Sequence, residues 1–311
     1  MRSFQLFCSA LLLTCAAVSA QAANVPAPWA DVRAFGAVGD GKHDDTDAFK
    51  AAIKTGLPVL IAPTSKAYVV SSTLYVGGGA TIMGLGRDSA TVRCTGTGAC
   101  FATAPGQVKK FLGVTYKDFS IEGTGNTATT GIYIGRTNYA TVQNIEIGNI
   151  GGIGLVIDGS TAGTVSQAHY GYIANVRVYG NHRIGLQLRG PEKGEGTNRH
   201  RVFFLKDDGA KDVGLDIMAQ SSTSQFYGAA FENVQSAIRI AGTNNNFFGL
   251  NIENVKGDGI SFIQGARGNR FEGVAVGKVI GTLWKNPQFN PAPKVRNGDQ
   301  GAGGSAASDV E

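Results

Sequence analysis

Two aspartates define the chemistry this chain is able to support. Asp158 and Asp216 occupy outward positions of short strand-like segments, with Arg189, Arg239 and Gln187 at neighbouring repeat positions. Two carboxyls about 6.5 to 9.5 Å apart can cleave a glycosidic bond with inversion, one protonating the leaving oxygen while the other activates water. Stacked β-coils rise by about 4.8 Å, so residues two coils apart and two positions offset lie roughly 10 to 12 Å apart at Cα, close enough for such carboxyls to converge. Asp207 and Asp208 form an adjacent backup pair. The competing reading is an exposed ladder of alternating charge, Asp158, Arg189, Asp216 and Arg239, in which each pair contributes about 0 to 1 kcal/mol. The column Glu146, Arg177, Lys206 is such a ladder with no catalytic purpose.

Further polar groups come from two long intervals, residues 159–172 and 190–202, which should emerge side by side as loops walling a groove. They bring His169, Tyr170, Glu192, Lys193, Glu195, Arg199, His200 and Arg201, a set suited to acidic or hydroxyl-rich sugar, while His182 and Arg183 enter from the opposite strand end. Solvated loop histidines are the plainer reading of His169, His182 and His200. Elimination would need a base and a cation to steady the enolate-like intermediate beside a uronate carboxylate, with Arg183, Arg189 or Arg201 supplying the cation. Calcium would need several convergent carboxylates, and no cluster compels it, so no cofactor or metal is expected.

The elements that must position these groups repeat along the chain. Gly-apolar-variable-apolar segments start at Gly131, Gly154, Gly185, Gly214, Ala237, Gly259 and Gly281. Successive differences of 23, 31, 29, 23, 22 and 22 residues match the period of stacked solenoid coils. Alternation then turns Ile132, Leu155, Leu186, Leu215, Ile238 and Ile260 inward, with Ile134, Ile157, Leu188, Ile217, Ile240 and Phe262 as a second inner column. The column Tyr133, Val156, Gln187, Asp216, Arg239, Ser261 faces outward beside Gly135, Asp158 and Arg189. Asn144 and Asn175 precede their segments by the same ten positions, which predicts a second strand per coil and stacked asparagines at a corner.

Residues 31–53, DVRAFGAVGDGKHDDTDAFKAAI, read as a short strand at Val32 and Phe35, a glycine turn, and a helix begun at Asp44 and Asp45. Its Ala48, Phe49, Ala52 and Ile53 face suits a helix laid across the open end of a core. This segment resembles the opening motif of the pectate-lyase-like superfamily, grouped with rhamnogalacturonases, epimerases and phage tailspikes. Residues 56–70 and the glycine-arginine turn in residues 80–89 are similar to its next elements. The resemblance implies an all-β, right-handed single-stranded parallel β-helix with a short N-terminal capping helix, acting on polysaccharide. It carries no catalytic residue. Asp207-Asp208 and Arg239-Ile240 are similar to elements of polygalacturonase-type hydrolases, yet Ala241 replaces their lysine and the Gly-His-Gly and Asn-Thr-Asp elements are missing. That active site is therefore not transferred.

With 45 Gly in 311 residues, about twice the usual ~7%, turns must be many. The net charge of +5 comes without interleaved basic and aromatic runs, so nucleic acid is excluded as partner. Residues 1–23 read as a secretory signal, placing the protein outside the cell or in the periplasm, with a lipid anchor at Cys15 as an alternative and no stable membrane span. Cys94 and Cys100 should then pair. The β-helix domain spans 24–289 and a flexible tail 290–311. A monomer is expected, a trimer being the alternative, with glycan cleavage (hydrolase ahead of lyase) on acidic polysaccharide as first reading and non-catalytic glycan binding or adhesion as second.

Overall fold

The computed structural model describes residues 28–105, 112–160, 168–191 and 196–290, together with the backbone of Val295–Arg296. The signal and lipid-anchor readings, Glu192, Lys193, Glu195 and nearly all of the expected tail lie outside the described residues. Chain repeats wind into an all-β solenoid of about nine turns with one α-helix. One sheet holds nine parallel strands, from Leu74–Val76 through Gly98–Thr103, Thr129–Gly135, Ile153–Asp158, Ile184–Arg189, Val213–Ile217, Ser236–Ile240 and Ile260–Phe262 to Trp284–Lys285. A fifteen-stranded sheet forms the rest of the wall, and a three-stranded sheet, Ala168–His169, Thr197–Asn198 and Ser221–Ser222, bridges the two at one corner.

Pairing in the nine-stranded sheet follows the expected register. Ile132, Leu155, Leu186, Leu215, Ile238 and Ile260 stand opposite one another in sequence, as do Tyr133, Val156, Gln187, Asp216, Arg239 and Ser261. The last coil departs from it. Trp284 pairs with Ile260, so the strand starts two residues later than the Gly281 segment implies.

The recurring glycine has a steric cause. A Cβ on Gly154 would lie 2.7 Å from Val178 Cγ1, and one on Gly214 or Gly185 would overlap Phe231 Cδ1 or Asp207 Oδ2. Side chains of the facing sheet fill the space, so only a residue without Cβ lets the two walls close on a dry core. Inside, the rings of Phe226, Phe247 and Phe271 stack at 4.7 and 4.6 Å, and all three are fully buried.

Corners rely on left-handed backbone. Asp118, Asn144 and Asn175 have φ of 62°, 53° and 52°, a conformation Asn and Asp tolerate best among residues with a side chain. Their side chains join along the axis, Asn175 Nδ2 donating to Asn144 Oδ1 at 2.9 Å and Asn144 Nδ2 to Asp118 Oδ1 at 2.8 Å. A different corner, after the three-stranded sheet, puts Tyr139, Tyr170, Arg199, Thr223, Asn244 and Gly268 in the same conformation, φ 54–66°. Consecutive coils connect there through backbone bonds such as Tyr170 N–H to Asn198 O and Arg199 N–H to Ser222 O, both 3.1 Å.

At the N-terminal end, Val32–Phe35 forms a 3-10 turn rather than the expected strand, which is limited to Ala30–Asp31. Helix Thr46–Lys54 buries Phe49 edge-on against Tyr68. Asp44, not Asp45, bonds the first helical turn, accepting from Thr46 N–H at 3.0 Å. Asp45 instead ties the glycine turn to the next strand, accepting from Val38, Gly39 and Val69 N–H. Cys94 and Cys100 are joined as a disulfide. No helix among the described residues is long and apolar enough to cross a membrane.

Candidate functional site

The structure separates the expected polar groups into three sets. On the outer face of the nine-stranded sheet, Asp158 accepts from Tyr133 Oη at 2.8 Å and Ser160 N–H at 2.7 Å, with Arg189 Nη1 at 3.6 Å. Asp216 accepts from Gln187 Nε2 at 2.7 Å and from both Nε and Nη2 of Arg239 at 2.9 Å. Arg189 Nε donates to Gln187 Oε1 at 2.5 Å, and Arg239 also reaches Asp212 at 3.1 Å. A continuous polar chain thus runs from Tyr133 to Asp212. Asp158 and Asp216 are 3% and 4% exposed, so each carboxylate is both partnered and covered. Burial, followed by the charge of Asp158, pushes the Tyr133 phenol well above its ordinary value; that hydroxyl stays protonated and donating.

The second set is internal. His182 and Asp207, expected in a substrate groove, are both 0% exposed. They face each other inside the coil, Nε2 to Oδ2 at 2.8 Å, with His182 Nδ1 3.1 Å from Gly180 O. Asp207 occupies an inward position between Val178 and Phe231, and burial raises its carboxyl above the usual range despite the His182 bond. Neither side chain can touch a polymer outside the wall. Asp208, one position on, faces outward and pairs with Arg177 at 3.7 Å and Asn233 at 3.0 Å, extending the Glu146–Arg177 ladder.

The third set gathers at the strained corner. A cleft of about 480 Å³ is lined by Tyr170, Tyr172, Arg199, His200, Arg201 and Gln225, with Gly171 and Thr223 completing it. Tyr170 stacks on Tyr139 at 5.3 Å, while Arg199 lies over the Tyr170 ring at 5.5 Å and donates from Nη1 to Tyr170 Oη at 2.6 Å. Tyr139, Tyr170 and Arg199 gain nothing from a left-handed backbone, which costs a side-chain-bearing residue about 1–2 kcal/mol; such outliers concentrate where function needs a group aimed. No carboxylate lines the cleft, and neither arginine forms an ion pair among the described residues. By contrast Arg93, Arg177, Arg189 and Arg239 all hold acids.

His200 is 1% exposed and forms the cleft's floor through its backbone fit. Its Nδ1 accepts from Gly171 N–H at 2.9 Å, and burial drives the imidazole down to about 3. Burial keeps it neutral, and among the described residues its Nε2 has no hydrogen-bond partner. His169 is also largely buried, edge-on to Tyr170, whereas Arg183 and Arg201 are exposed as expected. The sequence placed Arg199 among the groove loops but gave no sign of Tyr139, Tyr172 and Gln225 as site residues. The usable signal was the backbone register of the longer sheet, where Thr141, Tyr172, Arg201 and Gln225 form one column. Among the described residues no group of three or more His, Cys, Asp or Glu is placed to hold a metal ion.

No protein-family model matches the chain. A stretch of 61 residues, 20% of the chain, is 46% identical to the pre-neck appendage protein of Bacillus phage B103, of which it covers 7%. Among solved structures, the phiAB6 tailspike, determined with three-repeated oligosaccharides of Acinetobacter baumannii surface polysaccharide, is similar over 82% of this chain and 47% of that one. Its TM-score is 0.63 at 15% identity. WceF of Pantoea stewartii, described as a glycan biofilm modifying enzyme with a bacteriophage tailspike-like parallel β-helix fold, is similar over 83% and 39% at TM-score 0.56 and 14% identity. The enzymatically active domain of tailspike protein 2 from bacteriophage CBA120 follows at TM-score 0.52 and 17% identity, over 83% and 43%. The chain therefore has the parallel β-solenoid fold of these tailspike-like proteins. It spans less than half the length of each of these three solved chains.

Proposed function

We propose that this protein recognises acidic polysaccharide, holding it in the cleft at the Tyr139–Tyr170–Arg199 corner. One observation carries the reading: Arg199 and Arg201 line a cleft that contains no carboxylate to neutralise them. Guanidinium forks suit carboxylate or sulfate, and Tyr172, 42% exposed, offers ring surface to a sugar. The tailspike and WceF structures, whose descriptions concern surface polysaccharide and glycan modification, lend the fold a matching precedent. Under this reading the solenoid is right-handed, helix Thr46–Lys54 caps it, residues 1–23 export it, and it works without cofactor as a monomer.

Cleavage is the second reading, favoured by Asp158 and Asp216 sharing one face. Both acids are saturated by partners, which places binding first. Incubating the protein with pectic, alginate and neutral polysaccharides, while following reducing ends and ultraviolet absorbance, separates the readings. Retention of unchanged glycan over hours, lost in Arg199→Ala, supports recognition. New reducing ends abolished by Asp158→Asn or Asp216→Asn would mean hydrolysis, and absorbance from unsaturated uronate would mean elimination.

A further inference from the structure

We propose that the outer face beside the cleft reads charge spacing: it takes a heteropolysaccharide whose anionic residues stand three sugar units apart, not a homopolymer of uronates. This rests on the polysaccharide reading above. The argument begins with the column that continues from the cleft along the solenoid axis. Tyr172, Arg201, Gln225, Asn246 and Arg270 stand opposite one another on consecutive coils. Parallel strands place such residues one coil rise apart, about 4.8 Å, so Arg201 and Arg270 lie roughly 14 Å apart.

Both arginines are exposed and form no ion pair among the described residues; Glu272, two positions beyond Arg270, faces Phe248 in the adjoining column. The two positions between them hold neutral amides. Gln225 is oriented, because its Oε1 accepts from Tyr227 Oη at 3.0 Å, which leaves its NH₂ to donate elsewhere. The neighbouring column, Phe203, Tyr227 and Phe248, stacks at 4.9 and 5.0 Å with ring planes 10° and 13° apart. Stacked rings spend their faces on each other and give a stiff wall, so the ligand is read by the polar column and not by ring stacking. A pyranose in an extended chain advances by a length comparable to one coil, which sets successive sugars against successive column residues: cation, amide, amide, cation. A polyuronate would bring a carboxylate against Gln225 and Asn246 with no cation to meet it, and desolvating an unmatched charge opposes binding.

The test is titration calorimetry on the full chain. The probes are linear oligosaccharides of equal length with two uronates separated by zero, one, two or three neutral sugars, plus polygalacturonate and dextran. The two-sugar spacing should bind about tenfold tighter than adjacent uronates. Arg201→Gln and Arg270→Gln should each reduce it to the level of a singly charged ligand, with melting temperature unchanged because both side chains are exposed and unpaired. Equal binding across all spacings, tighter binding of polygalacturonate, or a preference that survives Arg270→Gln would each overturn the spacing rule while leaving glycan recognition intact. Absence of binding to every glycan would overturn the recognition reading itself, and the spacing rule with it.

Discussion

Burial gives single residues opposing pH signatures. His200 titrates at about 3 in the fold against 6.5 ordinarily. Its folded value is depressed, so its contribution is complete above pH 6.5 and is lost progressively as pH falls from there toward 3. Asp207 behaves oppositely: its folded value is raised above 3.8, so stability falls as pH climbs from 3.8 through the folded value. Urea midpoints measured from pH 3 to 8 should show His200→Gln flattening the acid side and Asp207→Asn flattening the fall in stability above pH 3.8. Gly185→Ala is a different case, because the new Cβ would overlap Asp207 Oδ2. It should cost about 3 kcal/mol in denaturant unfolding, more than Gly56→Ala, where the site is open and only the left-handed φ costs about 1 kcal/mol. Asp216→Asn should lower stability by about 1 kcal/mol, since Arg239 is partly exposed and keeps Asp212. A complete unfolding in that variant would show the outer polar chain to be a structural requirement.

Individual elements answer to packing along the axis. Removing Phe247 from the middle of the buried stack strips ring contacts from Phe226 and Phe271 together, so Phe247→Ala should cost about 3–5 kcal/mol. Its loss should be felt first in the adjacent coils, as protection of amide hydrogens there against exchange, because each coil touches only its neighbours. The nine-stranded sheet was legible from sequence because Gly-apolar-variable-apolar repeats report a period-two strand with a steric constraint at its start. Ile132 through Ile260 align in space as that pattern orders them. The cleft was legible only in part: Tyr170, Arg199, His200 and Arg201 belong to the two long intervals expected to wall a groove, but the column through Thr141, Tyr172, Arg201, Gln225, Asn246 and Arg270 is built from types with no shared periodic signal. Asp207 misled for a related reason. Beside Asp208 it looks like part of an exposed acid pair, yet alternation turns only one of two consecutive strand residues outward, and His182 supplies the bond that lets Asp207 face the core. The 3-10 turn at Val32–Phe35 was hidden too, since its apolar spacing fits a strand equally well.

At the scale of the whole molecule, charge is arranged more tellingly than its sum. Against the net charge of +5, Arg93, Arg177, Arg189 and Arg239 hold acids, whereas Arg199, Arg201 and Arg270 are without an ion pair among the described residues and Arg201 and Arg270 are exposed. Glycan affinity should therefore fall when ionic strength rises from about 0.05 to 0.5 M, as screening shortens the reach of exposed charge. The melting temperature should change little over the same range, since exposed pairs contribute about 0–1 kcal/mol each. Affinity that is indifferent to salt would move the site away from these arginines. Along the solenoid's one axis coils add by neighbour contact, and no closure between distant ends is needed.

The left-handed corner has an evolutionary reading. Six residues of five types, Tyr139, Tyr170, Arg199, Thr223, Asn244 and Gly268, hold one backbone pose, so the pose belongs to the hydrogen-bonded coil and not to the side chain it displays. Such a file is a rack of interchangeable slots. Selection can exchange the displayed group coil by coil, at a cost of a kcal/mol or two, without disturbing register or core. A lineage facing a new surface glycan would need to rewrite only this edge, and an engineer placing Tyr or Arg at Thr223, the slot next to Arg199, could lengthen the Tyr139–Tyr170–Arg199 stack by the same route.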